Sequence, residues 1–260
     1  LATVALIAVG RAARHMGAWI FGTFGDRIGR KATLIATLLL MGIATLRIGI
    51  MPTGLQIGMW AAVILTILRA CQGIGVGGEW GGSVLMSMEW GSAKRKGFLC
   101  SWPQFGVPVG LLLSTLVVAV TSAATGSNFA VWGWRIPFLV SILLVAIGLY
   151  IRLGIKETPI FAKIKQQNRL EAQPVREVIK RNWREIILSA FLRLPEQAPF
   201  YIFTVFVYTY GVTQLKFERQ FLVNAVTVVA PCSFFMIPFF GYLSDRIGRK
   251  KFILSCIVAC

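Results

Sequence analysis

Three stretches of this chain limit what it can become. "ATLIATLLLMGIATL" (32–46), "GVPVGLLLSTLVVAV" (106–120) and "PFLVSILLVAIGLYI" (137–151) each run fifteen residues without a charge. A surface helix of a soluble protein needs a polar face, and these have none. A helix of about 20 apolar residues crosses the hydrocarbon core of a bilayer. Within lipid the backbone must satisfy its own hydrogen bonds, and a helix does so. Only 14% of the 260 residues are charged, against roughly a quarter in a soluble domain. Those charges are gathered into short islands between the runs. The chain reads as an all-α membrane protein with several spans.

Apolar windows and turn signals place helices at about 1–22, 32–51, 57–88, 98–120, 136–153, 186–209 and 221–242, with another starting at 252. That makes about eight whole or partial transmembrane helices. The basic residues sort between the connections. Segments 24–31, 91–97, 152–184 and 244–251 carry 3, 3, 9 and 4 Lys or Arg, while 49–56, 121–134 and 211–220 carry 0, 0 and 2. Cytoplasmic connections collect Lys and Arg, so the first set is expected on the cytoplasmic side of a cell (plasma or inner) membrane.

An internal repeat agrees with this count. Residues 21–31 read "FGTFGDRIGRK" and residues 240–250 read "FGYLSDRIGRK", with eight of eleven positions identical. Six expected helices separate the copies, and an even number returns the chain to the same side. The repeat therefore predicts two pseudo-repeated halves. The expected division is a helix bundle over 1–154, a polar linker over 155–184 and the start of a second bundle over 185–260. The linker is basic and has a helical pattern around 173–183. A solvated loop and a segment lying on anionic lipid both fit it.

The formal charge of +17 is accounted for by these connections and calls for no nucleic acid partner. The partner that the apolar runs call for is a lipid bilayer. Cys71, Cys100, Cys232, Cys256 and Cys260 lie in apolar segments without metal-site spacing, so neither a metal nor a disulfide framework is expected. His15 is the single histidine. With no Ser–His–Asp set, no Gly-rich phosphate loop and no ligand cluster, neither an enzyme nor a cofactor is expected. A channel would need rings of like groups or a carbonyl filter, and no such repeat appears.

The hairpin string "GTFGDRIGRKATL" (22–34), repeated as "GYLSDRIGRKKFI" (241–253), resembles the loop signature of the major facilitator superfamily. "LRACQGIGVGGEWGG" (68–82), "SWPQFGVPVGLLL" (101–113) and "WGWRIPFLVSILL" (132–144) resemble its metabolite–proton symporter branch. The resemblance implies a bundle of twelve helices in two six-helix halves. On that frame the chain runs from the second helix into the ninth and lacks the first and the last three. It begins and stops inside apolar runs. Taken as a whole polypeptide it would have a cavity open on one side and weak or no transport.

Site residues follow from charge, from spacing and from the resemblance. Gly22, Asp26, Arg27, Gly29, Arg30 and Lys31, with Glu89 as the expected partner of Arg30, form a candidate cytoplasmic gate. Asp245, Arg246, Gly248 and Arg249 are its counterpart in the repeat. The first helix is expected to end near Phe24 and the next to begin near Ala32. Gly22, Gly25 and Gly29 would allow the turn, and Asp26 would lie at the start of the second helix. A plain topology-setting basic turn is the alternative. Ionisable groups inside spans mark function by default. Arg69, Glu79, Arg193, Glu196 and Arg14 are therefore the candidates for substrate or proton coupling, with internal ion pairs as the structural alternative. Arg69 matches the family's membrane-embedded arginine, and Glu79 matches the branch's "GGE" glutamate. Arg14 fits an "ARP" pattern in which His15 stands for proline. The roles of Arg11 and His15 stay open. Gly73, Gly77 and Gly81 form a packing ridge. Gly106, Pro108 and Gly110 form a weak point suited to a hinge, a close contact or a passive kink.

The expected function is secondary active transport: proton-coupled uptake of a carboxylate, a shikimate-like acid or a proline- or betaine-like zwitterion by alternating access. A non-transporting membrane fragment or assembly partner is the alternative.

Overall fold

The computed structural model describes residues 2–92, 94–167, 174–202, 206–217 and 219–259. Among them every long element is a helix and there is no strand. Helix α1 spans Ala2–Ile28, α2 Arg30–Ile50, α3 Gly54–Ile57, α4 Trp60–Trp90, α5 Lys96–Thr125 and α6 Arg135–Gly154. The short α7 (Pro159–Gln166) follows, then α8 (Pro174–Tyr201), α9 (Val207–Thr213), α10 (Arg219–Ile247) and α11 (Arg249–Ala259). Among the described residues, α2, α4, α5 with the turn after it, and α6 are long and apolar enough to cross a membrane.

The hairpin between α1 and α2 is tighter than the sequence suggests. Helix α1 does not stop near Phe24; it runs to Ile28, and only Gly29 separates it from α2. Gly29 has φ 125, a value that side chains disfavour and glycine accepts. Gly22 and Gly25 are helical and make no turn. Asp26 consequently belongs to the last turn of α1, not to the start of α2. The repeat behaves alike: α10 runs to Ile247, Gly248 has φ 95, and α11 begins at Arg249. A charged last turn costs nothing once the helix has left the apolar layer, so helix and hydropathy need not end together.

Downstream boundaries shift for similar reasons. The expected helix 57–88 begins at Trp60, after the one-turn α3, and runs to Trp90, so Glu89 lies within it. The expected helix 186–209 is divided: its first part belongs to α8, which starts inside the linker at Pro174, breaks its helical dihedrals at Asn182 and ends at Tyr201, and its end belongs to α9, which starts at Val207.

The chain groups into two compact units. The first holds residues 1–91 and 113–175; the second holds 92–112 and 176–260. In the first unit α1 lies directly on α4. A Cβ on Gly17 would stand 2.0 Å from the Ile74 carbonyl oxygen, and one on Gly77 2.0 Å from that of Arg14. Gly73 meets the Gly10 backbone in the same way, whereas Gly81 has nothing within 4 Å. The ridge is therefore a two-glycine contact at Gly73 and Gly77. Helix α2 packs on α6 through Gly42, against Val145, and buries Leu34, Thr37, Ala44 and Ile48. Arg135 closes one end of that pair by donating to the Met51 carbonyl at 2.8 Å.

Candidate functional site

A cavity of about 580 Å³ opens among α1, α2 and α4 of the first unit. Arg11 and Arg14 line it from α1, Met41 and Thr45 from α2, and Arg69, Gln72 and Val76 from α4. Arg11 and Arg14 are three positions apart, as are Arg69 and Gln72, so each pair shares a helix face. Arg14 lies fifteen residues before Gly29, about 22 Å along α1 at 1.5 Å per residue. The cavity is thus well removed from the hairpin.

Hydrogen bonds orient its polar lining. Arg69 donates from Nη1 to Gln72 Oε1 at 3.2 Å, Gln72 donates from Nε2 to Thr45 Oγ1 at 2.7 Å, and the Thr45 hydroxyl donates to the Met41 carbonyl at 2.8 Å. The chain of donors runs one way, from guanidinium to backbone. His15 is exposed and is not among the described lining residues.

At the basic end of the same unit the charges interlock. Arg30 meets Glu89 at 2.7 Å and Asp26, four residues before it, at 3.5 Å. The Arg30 and Glu89 side chains are 15% and 9% exposed. Arg30 Nε and Glu89 Oε2 are buried without a hydrogen-bond partner among the described residues. Glu79 pairs with Arg152 of α6, which also donates to the Leu34 carbonyl. Glu157 accepts the Lys31 N–H in the first turn of α2 at 3.2 Å, and Lys31 Nζ donates to the Leu153 carbonyl at 2.7 Å. A cavity of about 120 Å³ lies beside these groups, lined by Gly22, Asp26, Arg30, Gly77 and Leu85 among others.

The structure thus brings Arg14 and Arg69 together and places Glu79 elsewhere, in the ionic end. Arg152, Glu157, Gln72 and Thr45 are functional candidates that the residue pattern did not single out. One signal was available for the first two. Arg152 and Glu157 are the first base and first acid after an apolar run that ends, by parity, on the side of Arg30.

In the second unit Asp245 caps the start of α5. Its Oδ1 accepts the Gly97 N–H at 2.7 Å and its Oδ2 accepts the Phe98 N–H at 2.9 Å. A carboxylate there satisfies two of the open donors of a helix N-terminus and meets its positive dipole end. The cap takes Asp245 down to 8% side-chain exposure, whereas Asp26 is 46% exposed. Arg249 approaches Asp245 at 3.8 Å, the same i,i+4 relation as Asp26 with Arg30. Arg246 lies over the Tyr242 ring at 5.0 Å. Close packing of Gly97 on Gly241 lets the two backbones approach. Arg193 is exposed on α8, and Arg27 is exposed in the last turn of α1. The side chain of Glu196 lies outside the described residues. Gly106 and Gly110 have nothing within 4 Å, Pro108 is buried, and α5 stays helical through all three.

A family model described as Major Facilitator Superfamily matches residues 6–260. The chain belongs to the major facilitator superfamily. Within that superfamily it is 42% identical over 261 residues to a shikimate transporter of Escherichia coli K12, an alignment that takes in 98% of this chain and 59% of that protein. It is 34% identical to a proline/betaine transporter of the same strain, over 100% of this chain and 54% of that one. These relatives are named as transporters, not enzymes. The chain spans about 60% of the length of the first relatives it matches. Among solved structures, the proton:xylose symporter XylE bound to a bromodeoxyglucose shares the fold with TM-score 0.74. It has 18% identity, and the match covers 95% of this chain and 60% of the other. The superfamily bundle therefore accounts for the helices, and the arginine-lined cavity lies inside it.

Proposed function

We propose that this chain forms part of a secondary active transporter of a bacterial inner membrane, taking up a small polar metabolite with protons by alternating access. The observation that carries the proposal is the cavity in which Arg14 and Arg69 converge inside a superfamily bundle. Arginine is costly in a low-dielectric span, and a bound anion repays that cost. A carboxylate, of a shikimate-like acid or of a proline- or betaine-like zwitterion, is the group expected there. The transporter names of its relatives support the same class of cargo.

Proton coupling falls to a glutamate. Glu79 exchanges its Arg152 partner for a proton, or Glu196, three positions after Arg193 in the sequence, carries the proton. The Asp26–Arg30–Glu89 cluster acts as the latch that favours the state closed to the cytoplasm, with both basic hairpins on the cytoplasmic side. Gly106, Pro108 and Gly110 give α5 the freedom to flex between states.

Uptake by cells expressing the full open reading frame tests this. Accumulation should rise with an inward proton gradient and collapse with an uncoupler. Uptake indifferent to both would refute the coupling and leave facilitated diffusion.

A further inference from the structure

We infer that residues 177–187 of α8 dock on a bilayer surface rich in anionic phospholipid, where Lys180, Arg181 and Arg184 take lipid phosphates and Ile179 and Trp183 enter the headgroup layer. The inference concerns the end of the expected linker and does not depend on the cargo. Every residue from 177 to 188 is exposed. Val178 is 47% exposed, Ile179 55% and Trp183 52%. Helices in proteins are held mainly by the burial of an apolar face. This one has the apolar side chains, and no described residue covers them.

The order of residues says what does. Val178 and Ile179 adjoin before the break at Asn182, and Lys180 and Arg181 follow them directly. After the break Trp183 shares a face with Ile186 and Ile187, three and four positions on. Arg184 lies over the Trp183 ring at 5.4 Å. Tryptophan favours the membrane–water interface, and long basic side chains keep their stems in the apolar layer and their heads at the phosphates. The expected linker with Arg184, residues 152–184, carries nine bases and three acids, so its attraction is to an anionic surface. Lys180 precedes Ile186, where the expected span 186–209 starts, by about 9 Å of helix. That is within a Debye length of about 8–10 Å of the headgroups. The bilayer is therefore the surface to which this segment is tethered, whereas a separate protein would have to diffuse to it. Asn182, with φ -124 and ψ 33, leaves the helical region. The piece before it is thus free to turn off the axis of the span and lie along the surface.

Spin labelling of the full-length protein in nanodiscs tests this. A nitroxide on a cysteine at Ile179, in a background without native cysteines, reports lipid-shielded and water-exposed populations. In an equal mixture of phosphatidylcholine and phosphatidylglycerol the shielded population should dominate; in phosphatidylcholine alone it should fall. One base near an anionic surface corresponds to about a fivefold change in the ratio of the two, so Arg184→Gln should lower it about fivefold. Lys180→Gln, Arg181→Gln and Arg184→Gln together should lower it about a hundredfold, while Lys180→Arg keeps it. Unchanged thermal unfolding separates a lost charge from a lost fold. A label equally water-exposed in both lipids would make the segment a solvated loop and overturn the inference. A label shielded alike in both lipids and in the triple variant would place protein, not lipid, over this face and overturn it as well.

Discussion

Arg30 and Glu89 meet at 2.7 Å, joining the first turn of α2 to the last turn of α4, and each keeps one buried polar atom without a partner among the described residues. A pair that leaves hydrogen-bonding capacity unused is closed but not saturated, which suits the proposed latch. Arg30→Ala is expected to raise alkylation of a cysteine placed at Leu85, which lines the adjoining cavity. A coupling of about 1–3 kcal/mol corresponds to roughly a 5- to 150-fold shift. The charge swap Arg30→Glu with Glu89→Arg should recover much of the protection. Alkylation unchanged in Arg30→Ala would remove the latch.

Gly77 and Gly81 lie one turn apart on α4 yet should respond oppositely to alanine. In an exposed helix, replacing glycine by alanine gains up to about 1 kcal/mol. At Gly77 the new methyl meets the Arg14 carbonyl oxygen at 2.0 Å, a backbone atom that cannot swing away. Overpacking of this kind costs about 1–3 kcal/mol or more, so the clash wins. Gly77→Ala should lower the thermal midpoint in detergent; Gly81→Ala, with open space around it, should hold or raise it.

Asp245→Ala removes the acceptor for Gly97 and Phe98 at the start of α5. Loss of an N-terminal cap costs about 0.5–2 kcal/mol. Faster amide exchange at Gly97 and Phe98, with little change deeper in α5, is the expected result. Asp26→Ala should leave those two amides unaffected. Equal protection in wild type and Asp245→Ala would show that the cap does not hold the helix end.

The contrast between these residues shows what the sequence carries. The apolar runs and the repeated hairpin are local signals, and the helices and their glycine breaks follow from them. Glu89 could be matched to Arg30 because both flank spans that end on the same side. The Glu79–Arg152 pair and the Glu157 contact with Lys31 bridge segments far apart in the chain. No periodicity encodes them, because they arise only when α6 packs on α2 and α4. The hairpin ends were misplaced for the opposite reason. Hydropathy falls where lipid stops, but the α1 hydrogen bonds continue through Asp26 to Ile28. The role of Arg11 stayed open in the sequence because the other walls of the cavity it lines come from α2 and α4.

The proposed transporter requires both hairpins to face the cytosol. Single cysteines at Arg27 and Arg246, in a background with the five native cysteines replaced, can be treated with a membrane-impermeant maleimide in right-side-out and inverted vesicles. Both should label in the inverted vesicles and remain protected in right-side-out ones. Labelling of the two positions from opposite faces would contradict the paired-hairpin carrier outright.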